Sequence, residues 1–328
     1  MTISQLKKSI FNGKKPKFVY YAKAYAAMFT PRCLLFPRIS SLDKILQKRN
    51  DRDYILERVD YYCKDGLADG TDIKAWTENS VELCHQPKTS QKVYYFDAME
   101  TARHFPQHMR WKLISGDVDY VPQVPSIVKS RPLCDGNSRA VLLKLNKVRH
   151  FIFVNDTMPW RDKQDRAVFR GKVVYKDQRK IFMRRWFGTE RVDAGATERG
   201  ATEWARPKLT IREHLPFRYI LAIEGNDVAS NLKWIMSSNS IAVMPRPTCE
   251  TWFMEGKLIP DYHYIEIKPD FSDLVERMDY FSGHPDEAEA IIRHAHEFVS
   301  QFLDSKRERL IQLLVLRKYF RLTERIGK

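Results

Sequence analysis

Three short stretches concentrate residues whose types and spacing could do chemistry. The first is FRYILAIEGNDVASNLKWIMSSNSIAVMP, residues 217–245. Two apolar runs flank a small polar loop at 224–230. Gly225 permits backbone conformations closed to other residues. Asn226, Asp227 and Ser230 are helix-capping types, and Lys233 lies one turn further on. A strand feeding such a turn leaves unpaired N–H groups at the carboxyl end of a sheet, where a phosphate can sit. A purely structural strand-to-helix turn would use the same residues. The second stretch, VFRGKVVYKDQRKIF, sets Arg170 and Gly171 at a strand end, followed by Lys172, Lys176 and Arg179. Guanidinium groups hold phosphate through paired donors, and a solvated basic loop would read alike. The third, ISGDVDYVP, offers Asp117 and Asp119 on one face of an extended chain. Either carboxylate could act as general base if it reaches a substrate hydroxyl. Asp after Gly is also ordinary turn chemistry.

Two further stretches are less specific. KSRP carries Lys129, Ser130 and Arg131 in a rigid basic corner. CETWFMEGKLIP puts Glu250 and Glu255 beside Trp252 and Phe253, where an acid could accept sugar or ribose hydroxyls and the aromatics could equally be core. His294 and His296 stand two apart on a predicted helix, so they do not share a face. The chain has no HExxH, no Cys/His cluster, no GxSxG elbow, no phosphate-binding GxxxxGK[ST] loop and no GxGxxG. No metal and no cofactor are expected.

These residues need elements to position them. The apolar runs AVFRGKV, FRYILAI, SIAVMP and HYIEIK read as strands, and so do residues 93–96, AVLLKL and HFIFVN. Helical spacing is expected in 42–62, DQRKIFMRRWFG, ASNLKWIMSS, DFSDLVERMDYF, PDEAEAIIRHAHEFVSQFL and RLIQLLVLRKYF. Strands alternating with helices argue for an α/β fold with doubly wound parallel sheets. At 328 residues the chain is long enough for two domains.

The formal net charge of +15 is unevenly spread: residues 1–50 hold eleven Lys/Arg and one acid, Asp43. The tail from Lys306 is basic as well. Two basic ends on a nearly balanced middle predict an anionic partner, either a membrane leaflet or nucleic acid. No run reaches the roughly twenty apolar residues needed to span a bilayer, and no signal sequence is visible. FVYYAKAYAAMF, residues 18–29, puts Phe18, Tyr21, Ala22, Tyr25, Met28 and Phe29 near one helix face behind a lysine cluster. That pattern predicts an interfacial helix on an anionic membrane, and a core-packing helix with a basic lead-in is the alternative. Five cysteines lie far apart with no CxxC pair, which suits a reducing compartment. Neither RRM, KH nor helix-turn-helix patterns support the reading as a basic nucleic-acid-binding protein.

In order along the chain, VFRG, FRYILAIEGNDVASNLKWIMSSNSIAVMP and ETWFMEGKLIPDYHYIEIKPDFSDL resemble the CAP10-like glycosyltransferases, glycosyltransferase family ninety. The resemblance covers roughly residues 90–300. VPSIVKSRP and VLLKLNKVRHF are most similar to the bacterial branch, which works on lipopolysaccharide core. The resemblance implies a GT-B type fold, two Rossmann-like domains facing a cleft, and inverting, metal-independent transfer from a UDP-sugar. It divides the chain into a membrane-associating segment 1–38, an acceptor domain 39–155, a UDP-sugar-binding domain 156–304 and a basic C-terminal helix 305–328. By the same resemblance Arg170, Gly171, Lys172 and Arg179 attend the donor phosphates, and Gly225, Ser230, Asn231 and Lys233 line a second phosphate turn. Glu250 belongs to the donor side, and Lys129, Ser130 and Arg131 to the acceptor or donor side. Where animal members carry an arginine after the serine of that turn, this chain has Asn231 and Leu232, so Lys233 would substitute. The family's base precedes a tyrosine–proline step: Asp119 matches the tyrosine, and Asp117 sits closer to the strand end. The implied partners are a UDP-sugar and a lipid-linked oligosaccharide on the cytoplasmic face of the inner membrane, with no nucleic acid. Capsule glycan or protein is the alternative acceptor.

Overall fold

The computed structural model describes residues 17–89, 91–198, 200 and 203–326. Residues 1–16 of the expected membrane-associating segment lie outside the described residues. In chain order come helices α1 (Lys17–Phe29), α2 (Arg52–Tyr62) and α3 (Lys92–Ala102). Three short strands follow, β1 (Ser126–Val128), β2 (Ser130–Pro132) and β3 (Ala140–Leu142). Next are β4 (Gln164–Gly171), α4 (Asp177–Trp186), β5 (Val192–Ala196), β6 (Phe217–Leu221) and β7 (Ile241–Met244). The chain ends with β8 (Cys249–Thr251), β9 (Ile265–Glu266), α5 (Leu274–Gly283), α6 (Pro285–Ser300) and α7 (Ser305–Thr323). These elements form two compact units. A sheet unit takes residues 149–248 and 254–301, and a helical unit takes 17–148, 249–253 and 302–326.

In the sheet unit five strands pair in parallel in the order β9-β7-β6-β4-β5. Residues 241–244 of β7 are all buried, as a continuous apolar strand in a parallel sheet should be. The core joins Phe169, Phe182 and Phe271 edge to face, at centroid distances of 5.1 and 5.3 Å. Tyr219 keeps its hydroxyl satisfied by donating to the Met278 carbonyl at 2.9 Å. Helix α6 starts on Pro285, carries Asp286 and Glu287 in its first turn, and buries Ala288, Ile291, Ile292, Ala295 and Val299. Proline at the first position, acids by the N-terminus and an apolar stripe at helical spacing each favour that helix.

His263 gives this unit a pH dependence. Its Nδ1 accepts the Ile259 N–H at 2.9 Å, which requires that nitrogen to be unprotonated. Burial, helped by His294, pushes the imidazole down to about 4. A depressed histidine stabilises the fold above its unfolded pKa near 6.5 and loses that contribution as pH falls towards 4. We expect the melting temperature to fall across that window, by an amount equivalent to about 2–3 kcal/mol at its acid end. His263→Asn, which retains an acceptor near the Nδ1 position, should flatten the fall; melts from pH 7 to 4.5 with the same slope in both proteins would refute this.

The helical unit is organised by α7. Asp304 caps it by accepting from the N–H groups of Lys306 and Arg307, both at 3.0 Å. Leu310, Ile311, Leu313, Leu314, Val315 and Leu316 are all buried, so the middle of the helix is enclosed nearly all round and forms the unit's axis. Among the described residues the strands here pair only two by two: β1 with β3 in parallel, β2 with β8 antiparallel, and Val81–Glu82 with Arg110–Trp111. No second large sheet appears among them.

Three local expectations change. Residues 93–96 belong to helix α3 rather than a strand. Their aromatic, β-branched run favours a strand locally, but burying Tyr94, Ala98 and Ala102 at four-residue spacing favours the helix. Residues 150–155 form no strand, and the Val154 N–H donates to Ser237 Oγ at 2.9 Å instead of to a ladder. The expected helix over 229–238 shortens to Leu232–Ile235. There the Ser237 and Ser238 hydroxyls donate to the carbonyls of Trp234 and Ile235, competing for the groups that would extend it.

Candidate active site

The chain order of the sheet determines where a ligand should sit. From β4 the chain moves outward to β5, returns to β6 on the other side of β4, and continues to β7 and β9. In an open parallel sheet the crevice lies at the carboxyl ends of the strands where this reversal occurs. Here that is the gap between β4 and β6, flanked by Gly171 and by the loop after β6.

Arg179, from the first turn of α4, fills this place. Its guanidinium donates to the carbonyls of Lys172 (3.0 Å), Ile223 (2.7 Å) and Glu224 (3.0 Å). Both glycines admit it. A Cβ on Gly225 would stand 3.3 Å from its Nη2, and one on Gly171 would stand 3.3 Å from its Nη1 and 2.8 Å from the Phe169 ring. Burial, with Arg149 adding repulsion, lowers the guanidinium to about 10. A cation hydrogen-bonded, among the described residues, to carbonyls alone at the switch point of a parallel sheet is suited to an anionic ligand.

Two neighbouring acids shape the surrounding loops. Glu198, just past β5, accepts from the N–H groups of Val173 and Val174, both at 2.5 Å. Burial raises that carboxyl, but the backbone donors outweigh it and hold it below the usual range. Glu224 accepts from the Thr248 hydroxyl at 2.5 Å, tying the loop after β6 to the one after β7. Sequence reading missed Glu198, because its partners lie about 25 residues upstream.

The other sheet-unit candidates are engaged differently. Arg170 donates to both carboxylate oxygens of Asp193, at 2.8 and 3.0 Å, and to the Asp193 carbonyl at 2.7 Å. Lys172 is exposed. Gly225 donates its N–H to the Asp227 carbonyl at 3.0 Å. Ser230 is half-buried, and Asn231 donates to the Leu221 carbonyl at 2.9 Å, closing the loop onto the end of β6. Lys233 is fully buried, with its Nζ 2.5 Å from Glu255. The four-residue helix after this loop is too short to supply an N-terminal anion site.

In the helical unit the remaining candidates come together. Gly116, at φ +107°, turns the chain into Asp117. Buried Lys129 donates to Asp117 Oδ1 at 2.6 Å, and Ser130 Oγ accepts the Val118 N–H at 3.1 Å. Val118 is buried while Asp117 and Asp119 on either side are exposed. Arg131 lies opposite Glu250 across the β2–β8 pair and donates to it at 2.8 Å; Glu250 also accepts from the Tyr61 hydroxyl. Arg131 further donates to the Tyr61 carbonyl at 2.8 Å. Among the described residues, Glu82, Cys84 and His85 are close enough to share a metal ion, and none of the candidates above is among them. No helix of the described residues is long and apolar enough to cross a membrane.

Known proteins share much of this chain. A family model described as Glycosyl transferase family 90 matches residues 139–325, which takes in the whole Arg179 region and leaves out Asp117, Asp119 and residues 129–131. The chain is 41% identical over 249 residues to the O-glucosyltransferase LpsA of Dichelobacter nodosus, covering 75% of this chain and 78% of that protein. It is 25% identical over 167 residues to Protein O-glucosyltransferase 3 of Homo sapiens, covering 49% of this chain and 32% of that protein. It is also 24% identical over 157 residues to Protein O-glucosyltransferase 1 of Rattus norvegicus, covering 44% of this chain and 39% of that protein.

Proposed function

The chain belongs to glycosyltransferase family 90 and is a glycosyltransferase; from that premise we propose that it moves a hexose from a UDP-sugar to a hydroxyl of lipopolysaccharide core, with inversion. Glucose is the hexose we favour, because the relatives are named O-glucosyltransferases. The carrying observation is Arg179, a half-buried cation bonded to three carbonyls at the switch point of the sheet. We read the fold as GT-B type, with residues 156–304 as the donor half and residues 39–155 as the acceptor half.

In this mechanism Asp117 or Asp119 takes the proton from the acceptor hydroxyl. That oxygen attacks C1 of the donor sugar from the face opposite the diphosphate. The new C1–O bond forms as the bond from C1 to the diphosphate oxygen breaks, and UDP departs with the electron pair. Arg179 stabilises the charge that develops on the leaving diphosphate, a role that a metal ion fills in other transferases. Gly171, Lys172, Gly225, Ser230 and Asn231 form the surrounding phosphate loops. Pairing with Lys129 restrains Asp117, and both Asp117 and Asp119 lie at exposed positions. The basic lead segment and the bacterial-type motifs support a lipid-linked acceptor on the inner membrane face.

The test is calorimetric titration with UDP and with UDP-glucose, with and without EDTA, followed by transfer assays of Asp117→Asn and Asp119→Asn. We expect binding that survives EDTA, and transfer abolished in one aspartate variant with UDP affinity intact. A folded protein that binds neither nucleotide would refute the donor assignment.

A further inference from the structure

Helix α1 is mostly apolar on the side it turns away from the helical unit, with Lys23 as its one charged residue among those described. Its inner side is fixed to the helical unit. The Tyr20 hydroxyl donates to Asp97 at 2.8 Å, the Tyr21 and Tyr25 rings meet Phe96 edge on, and Arg103 donates to the carbonyls of Ala27 and Thr30. The outer side is Phe18, Val19, Ala22, Lys23, Ala26 and Phe29, all exposed, with Tyr25 at its edge. Phe18 and Phe29 are 82% and 83% exposed and lie eleven positions apart, roughly three helical turns, so they share one face. The exposed face is therefore rotated from the stripe expected from sequence, since Tyr21 and Met28 are half-buried. The chain just after the helix continues the pattern with Leu34 and Phe36 exposed.

A surface helix ordinarily shows polar residues to water. We propose that this outer face is a fixed docking surface for an anionic lipid bilayer, with Phe18 and Phe29 entering the interface while α1 stays bound to the helical unit. The proposal rests on the membrane reading above and adds which residues insert. The charge of the surrounding sequence selects the occupant. Residues 1–42 contain no acid, and eleven Lys/Arg fall within the first fifty residues. Anionic headgroups complement that charge, whereas a second copy of the same face would be repelled by it. Because Tyr20 and Arg103 hold the helix, docking needs no detachment of α1.

The experiment is co-sedimentation of the full chain with vesicles of phosphatidylglycerol and phosphatidylethanolamine, compared with phosphatidylcholine alone. Wild type should prefer the anionic vesicles, and Phe18→Ser with Phe29→Ser should weaken binding by at least about tenfold, as expected when two large apolar side chains no longer leave water. Both substitutions fall on exposed positions, so UDP binding in the same preparations should be unchanged. Wild-type binding that the double variant retains would overturn the insertion while leaving the membrane reading standing. Absence of wild-type binding to anionic vesicles would overturn both. A lipid-free dimer that the double variant dissociates, with vesicle binding intact, would assign the face to a second copy of the chain.

Discussion

Arg179→Ala should weaken UDP binding by about a hundredfold or more while leaving the protein folded. A hydrogen bond to a charged group contributes roughly 1.5–3 kcal/mol, and about 1.4 kcal/mol is tenfold in affinity. One guanidinium serving two phosphates through paired donors reaches the stated factor. Arg179 is singled out because its hydrogen-bond partners are the neutral carbonyls of Lys172, Ile223 and Glu224, and the nearby Glu198 carboxylate is itself engaged by the Val173 and Val174 N–H groups. Arg170, by contrast, faces both oxygens of Asp193, and Lys233 lies against Glu255. The variant leaves three carbonyls short of a donor, so a loss of about 1–2 kcal/mol in stability should accompany it. Arg179→Lys keeps the charge without the planar fork and should recover only part of the affinity. UDP binding within threefold of wild type in a folded Arg179→Ala protein would remove Arg179 from the donor site.

The second large effect is on stability. Glu308 is buried on α7 and joins three groups of the helical unit. Arg58 lies 2.7 Å from one of its oxygens, and Lys144 and Trp252 Nε1 each donate to the other at 2.7 Å. Burial pulls the Lys144 ammonium below its ordinary range, and the neighbouring Glu308 carboxylate opposes that fall. Glu308→Ala leaves two buried cations without this counter-charge, a change that costs about 3–5 kcal/mol. Adding Arg58→Met should lessen the damage, because one stranded charge goes with it. Urea unfolding of the two variants measures both terms. A loss under about 1 kcal/mol, or strict additivity, would show that the network carries little of the stability.

The sequence makes some of these features legible and conceals others for identifiable reasons. Strands β4, β6 and β7 are short apolar runs bounded by turn residues, and α4, α6 and α7 carry long helical periodicities, so local pattern identifies them. Helix α3 was hidden because its first residues favour a strand and only packing reveals the four-residue spacing. In the site, position and chemical type were legible but engagement was not. Nothing near Arg170 in sequence announces Asp193, which is 23 residues away, and nothing near Lys233 announces Glu255, 22 residues away. The distinction between a neutralised cation and an available one exists only after folding. Glu198 was invisible for the same reason, since its backbone partners belong to a different loop.

The placement of α7 also orders the protein's assembly in time. The sheet unit is almost one continuous piece of chain, residues 149–301, interrupted only by residues 249–253. The helical unit is not: its axis, with Glu308, Leu313 and Tyr319 in its core, is encoded after the whole of the sheet unit. During synthesis the sheet unit is complete in sequence before the helical unit has its central helix. Helices α2 and α3 must wait, with the apolar faces that α7 will cover still open to solvent. No single cut in the gene releases the helical unit as one continuous segment, so the half that carries Asp117 and Asp119 is finished only when the sheet unit has already been made.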